Sequence, residues 1–181
     1  MRSTIAVSVL VAIGGCARPA CRSVDGPPAF DKQHPEVPFV MFHRYPSYPG
    51  PEQEPVAGPV VALWSDGRMV RVAAENAIGK QYLQGRLAPE RLTEALAYVQ
   101  AHPALLRLTS GDVVQDAASE SLGIRLAGVC VLYAETVGDF GDIRHNADVA
   151  ALRKYLMSLP MEDSHPTSRP WVSPPDDWYA R

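Results

Sequence analysis

Val60-Val-Ala-Leu-Trp64, Ser65-Asp-Gly-Arg68 and Met69-Val-Arg-Val-Ala73 are the consecutive segments on which the fold turns. The first is a dense run of strand formers, and the third alternates apolar with polar or small residues. Asp66-Gly67 between them supplies the turn chemistry of a hairpin, because glycine reaches backbone angles that a side chain opposes. Asp66 and Arg68 are therefore read as turn residues rather than as parts of a site.

The same pattern recurs downstream. Glu120-Ser-Leu-Gly-Ile-Arg-Leu126 and Val129-Cys-Val-Leu-Tyr-Ala134 flank Ala127-Gly128, which predicts a second hairpin. Val129 to Leu132 is apolar on both faces, so that strand is expected at the centre of a sheet. Between the hairpins, Tyr82 to Ala88 leads into Pro89, a residue suited to the first turn of a helix. Leu92, Ala95, Leu96 and Val99 then share one helical face, and Pro103 ends the helix at or before His102. Ala104 to Leu106 forms a further turn. After the second hairpin, Val149, Leu152, Leu156 and Leu159 mark a second amphipathic helix. Asn146 is its natural cap, Arg153 and Lys154 suit its dipole, and Pro160 stops it.

The core thus reads hairpin, helix, hairpin, helix. The turns at Gly67 and Gly128 lie 61 residues apart, and Val99 and Leu159 lie 60 apart, which suggests a duplicated ββα unit. The expected class is α+β: an antiparallel sheet from two hairpins with two helices packed on one face, ββαββα-like.

Proline divides the rest. Residues 19–59 hold 10 of the 17 prolines, a composition that favours extended chain. Inside that stretch, Val37-Pro-Phe-Val-Met-Phe-His43 is apolar. It reads as an edge strand, where Pro38 is tolerated, or as a partner-binding segment. Residues 160–181 return to proline and carry Trp171, Trp178 and Tyr179. These aromatics either lap over the open sheet face, with Trp64 beneath them by alternation, or dock a partner.

At the N-terminus, Met1-Arg-Ser-Thr4 precedes the apolar run Ile5 to Ile13, which has the layout of a secretory signal peptide and is too short to span a bilayer. Ile13-Gly14-Gly15-Cys16 resembles the lipobox of bacterial lipoproteins. That resemblance implies a diacylglycerol with fatty acyl chains such as palmitate on the Cys16 thiol, and cleavage just before it. Two buried chains hold a protein stably at a membrane. Ala17, rather than an Asp, leans towards the outer membrane in a Gram-negative host. The strand, Asp-Gly-Arg, strand and Leu-rich helix pattern also looks like several uncharacterised bacterial lipoprotein families, which carry no established activity. The organisation expected is a signal peptide over 1–15, a Pro-rich tether over 16–58 with a possible edge strand, an α+β core over 59–160 and a Pro/Trp-rich tail over 161–181.

Composition bounds the function. The 181 residues carry 17 Lys plus Arg against 20 Asp plus Glu, a net charge of -3, without the basic excess of a nucleic-acid binder. Of Cys16, Cys21 and Cys130, the last two remain once Cys16 is lipidated. Their pairing is open, because Cys21 sits in an extended arm and Cys130 reads as a small buried hydrophobe of a strand. The histidines His34, His43, His102, His145 and His165 follow no zinc-site spacing and read as surface residues. Serine-hydrolase, Walker A and dinucleotide motifs do not occur. Asp139, Asp142, His145 and Asp148 crowd one polar loop, where a divalent cation is conceivable. Asp148 has a second explanation as a first-turn helix acid.

The reading that results is a lipid-anchored envelope protein, outside the cytoplasm at the cell membrane or outer membrane. Its domain is expected to be a non-enzymatic interaction or structural module with no cofactor. The alternative is a small-ligand or divalent-metal-binding lipoprotein using the loop from Asp139 to Asp148.

Overall fold

A computed structural model describes residues 27–45, 58–76, 79–109, 118–136 and 145–167. Seven strands pair antiparallel: β1 (Val40–Tyr45), β2 (Gly58–Leu63), β3 (Arg68–Asn76), β4 (Gly79–Arg86), β5 (Ser119–Leu126), β6 (Val129–Thr136) and β7 (Glu162–Thr167). Their order across the sheet is β6-β5-β1-β2-β3-β4-β7. Helix α1 (Pro89–Ala101) follows β4 and is trailed by a 3-10 turn at Leu105–Arg107; helix α2 (Ala147–Ser158) follows β6. The class is α+β, as the residue pattern predicts.

Both hairpins form where the glycines place them. Gly67 and Gly128 have φ of 84° and 75°, the left-handed conformation that a side chain opposes. Asp66 Oδ1 accepts from the Arg68 N–H at 3.0 Å, and Asp66 Oδ2 accepts from Arg68 Nε at 2.7 Å. Arg68 also lies over the Trp64 ring, 5.2 Å from its centroid. Asp66 and Arg68 thus shape a turn.

Three expectations are corrected. First, β1 is not an edge strand; it lies inside the sheet between β5 and β2. Val40, Met41 and Phe42 are each fully buried, which is the two-sided burial of an interior strand, and Pro38 precedes the ladder rather than interrupting it. Second, β6 is not central; it stands at one end of the seven-strand order, and Leu132 on it is 40% exposed. Third, the order is not ββαββα, because β4 separates the first hairpin from α1 and β7 follows α2.

Strand β7, Glu-Asp-Ser-His-Pro-Thr, has little intrinsic strand propensity. It forms by extending β4, with Tyr82 opposite Thr167 and Arg86 opposite Glu162. The register shifts between Gln84 and Arg86, and Asp163 takes a φ of 49° there. A Cβ on Gly85 would sit 2.7 Å from the Glu162 carbonyl oxygen, so the glycine lets the shifted strand approach.

Alternation sorts the sheet into two faces. Val40, Phe42, Val61, Leu63, Met69, Leu122, Ile124 and Val131 pack on the helix side with Ala95 and Val99 of α1 and Leu152 and Leu156 of α2. Each large aliphatic side chain so buried stabilises by about 1.5–3 kcal/mol relative to exposure. The other face carries a second cluster of Met41, Ala62, Trp64, Val70 and Tyr82, all buried. Trp64 lies on this second face, and its indole N–H donates to the Glu36 carbonyl at 2.9 Å.

Candidate functional site

Glu120 and Glu135 stand opposite each other across the β5–β6 ladder. Like charges so placed repel, so a folded sheet must supply cations or donors. Both side chains lie on the helix side, at the end of the core beyond Leu122 and Tyr133, and both residues are buried.

The two carboxylates are satisfied differently. Glu120 is held by guanidinium groups. Arg44 Nη2 of β1 lies 3.3 Å from Oε2, and Arg153 Nη1 of α2 reaches both oxygens at 3.0 and 3.1 Å. Glu135 is held by neutral donors. The Tyr133 hydroxyl donates to Oε2 at 2.8 Å, and the Asn146 backbone N–H donates to the same oxygen at 3.1 Å. Its other oxygen faces His145 Nδ1 at 3.9 Å, and the His145 ring is about half exposed. Asn146 in turn caps α2, its Oδ1 accepting from the N–H groups of Asp148 and Val149.

This cluster joins β1, β5 and β6 to the first two turns of α2. The far end of the same helix is fastened by another cation. Arg71 of β3 donates to the carbonyls of Met157 and, at 3.0 Å, Leu159. Arg153 and Lys154 were the candidates for complementing the helix dipole; Arg153 is instead committed to Glu120, and Arg71 from the sheet serves the last turn. Chemically, the cluster is a charge-assisted fastening in which buried acids have their partners. His145 is its solvent-facing member.

The candidate residues of the sequence fall as follows. Cys16, Trp171, Trp178, Tyr179, Asp139 and Asp142 lie outside the described residues. Asp148 is exposed in the first turn of α2, the place of a helix acid. Among the described residues, no three His, Cys, Asp or Glu side chains assemble into a metal-holding group. His43 is buried on β1, which corrects its reading as a surface residue. His102 stacks on Tyr98 at 4.3 Å between ring centroids. Cys130 is disulfide-bonded and only partly buried, so it is not the inert buried hydrophobe that its strand suggests.

A second polar contact fixes the segment before β1. Asp31 Oδ2 accepts from Arg125 Nε at 2.9 Å. Burial pushes the Asp31 carboxyl up, but the Arg125 hydrogen bond, the Gln33 N–H and the Arg125 charge together hold it below the usual carboxylate range. The segment also forms a bridge from Phe30 to Leu126, and the Ala127 N–H donates to the Ala29 carbonyl at 2.8 Å.

Glu120 and Glu135 were not singled out from the sequence, although a signal was present. A two-residue turn at Ala127-Gly128 places opposite each other any two residues equally far from it, and these acids are such a pair.

The fold and this cluster together define an α+β domain whose buried charges lock one helix to one end of the sheet. No family model, curated protein or solved structure matches the chain.

Proposed function

We propose that this chain is an exported, lipid-anchored envelope protein whose domain serves as a non-enzymatic interaction module. The observation that carries the reading is Ile13-Gly14-Gly15-Cys16 at the end of a short apolar run that follows a positively charged start. The disulfide at Cys130 supports export, because disulfides persist in oxidising compartments outside the cytoplasm. The buried acids support the non-enzymatic part. Glu120 is tied to two guanidinium groups and Glu135 to a hydroxyl and a helix-capping N–H, which suits holding a shape more than moving protons.

In this reading the membrane is reached through the Cys16 lipid, at the cell membrane or, with Ala17 after the anchor, the outer membrane of a Gram-negative host. The docking element for an envelope protein is the Pro-rich stretch after β7, with Trp171, Trp178 and Tyr179 as its anchors. Rigid aromatic side chains carry much of the energy at protein interfaces.

Cys16→Ser tests the anchor, since serine offers no thiol for the thioether. The variant is expected to leave the detergent phase in phase partitioning and to accumulate as precursor or soluble protein. Retention in the detergent phase as a mature-size band would overturn the reading.

A further inference from the structure

We propose that the partner of Cys130 is Cys21, so that the start of the mature chain is riveted to the β5–β6 hairpin a few residues from its lipid. Cys130 is disulfide-bonded, and the chain's only other cysteines are Cys16 and Cys21. The choice between them rests on the lipoprotein reading: a Cys16 sulfur spent on a thioether cannot also form a disulfide.

The geometry favours the pairing. Strand alternation puts Cys130 on the face away from the helices, because its neighbour Val131 packs into the helix-side core. The segment that leads back to Cys21 is already laid along this hairpin. Phe30 bridges Leu126, the Ala127 N–H donates to the Ala29 carbonyl, and Asp31 pairs with Arg125. Arg125 is itself the cross-strand partner of Cys130. The chain therefore passes the Ala127-Gly128 turn at residues 28 and 29, two or three positions from Cys130. Cys21 lies six residues before Pro27. Six residues span up to about 20 Å when extended, ample for the short step from that turn to the Cys130 side chain.

The bond forms by thiol–disulfide exchange. Each thiol gives up its proton, the two sulfurs join, and the two electrons reduce the disulfide of an exported dithiol oxidant to its dithiol form.

The consequence is a shorter leash. Without the bond, the chain from Cys16 separates the lipid from Ala29 and Phe30, the first residues fastened to the hairpin. With it, only Cys16 to Cys21 remains free, a span of at most about 17 Å. The β5–β6 end of the sheet is then held at the membrane surface, and the β7 end is presented away from it. The tail with Trp171 and Trp178 continues from that distal end of the sheet order.

The test uses full-length protein extracted from membranes in the presence of a thiol-alkylating reagent and digested without reductant. Mass spectrometry is expected to find a peptide pair joining Cys21 to Cys130 that vanishes on reduction. In Cys21→Ser, Cys130 is expected to become fully alkylated. Recovery of alkylated Cys130 from the unreduced wild type would overturn the proposal and leave the lipid reading intact. A Cys16–Cys130 peptide pair would overturn both. A disulfide-linked dimer on a non-reducing gel would overturn the intramolecular bond alone.

Discussion

Helices α1 and α2 lie on the same sheet face and share one core, yet they are held by different physics. Helix α1 starts at Pro89 with no side-chain cap, and its fully buried residues are the small Ala95 and Val99. Helix α2 buries Val149, Leu152 and Leu156, is capped by Asn146, and is gripped by Glu135 at its cap, by Glu120 through Arg153 midway and by Arg71 at its end. The helices meet where Tyr98 stacks on Tyr155, 4.2 Å between ring centroids. Burial pushes the Tyr155 hydroxyl upward, and the nearby Glu94 charge adds to that. The contrast teaches that two helices with similar amphipathic patterns can differ in mechanical role. One rests on the sheet through small apolar contacts, and the other is bolted to it.

Truncating one apolar anchor on each helix probes the contrast most strongly. Leu152→Ala is expected to cost about 3–4 kcal/mol, and Val99→Ala about 2 kcal/mol, from the volume each removes from a packed core. Chemical denaturation measures both. A larger loss at Val99 would reverse the ranking of the helices.

Glu120→Gln keeps the shape and removes the charge that neutralises Arg44 and Arg153. Breaking a fully buried pair costs 3–5 kcal/mol. The Arg153 side chain is 38% exposed and can recover some hydration, so about 2 kcal/mol is expected here. Hydrogen exchange should show the loss of protection concentrated in α2. Equal loss in α1 would mean that the cluster fastens the whole core rather than one helix.

The smallest effect concerns the segment beneath α1, where Gln100 donates to the Pro28 carbonyl. Asp31 is held below its ordinary 3.8, so its pairing with Arg125 stabilises the fold above that pH. The contribution is lost as pH falls through the lower folded value. Wild type should therefore lose more stability than Asp31→Asn between pH 5 and 2.5, as followed by thermal melts. Parallel melting curves for the two proteins across that range would remove Asp31 from the account.

Much of this was legible in the sequence. Asp66-Gly67 and Ala127-Gly128 gave both hairpins, because turn chemistry is local. Pro89, Asn146, Pro103 and Pro160 bounded both helices for the same reason. The interior place of β1 was not legible. Its ladder to β5 joins Arg44 to Glu120 across 76 residues, and nothing local selects that partner. Strand β7 was hidden because its residues are polar and it exists through backbone pairing to β4. Glu120 and Glu135 were legible only in combination with the turn between them. Arg153 reads locally as a dipole residue, and its true partner lies 33 positions away. Short-range signals thus set the elements, while long-range charge pairs set how firmly each is held.

The claim on which the functional account stands is lipidation at Cys16. The intact mass of the N-terminal peptide, from protein extracted out of membranes, tests it most directly. The expected result is a mature chain that begins at Cys16 and carries a diacylglycerol on its sulfur. A mature N-terminus at any other residue, or an unmodified Cys16 thiol in the membrane fraction, would contradict it.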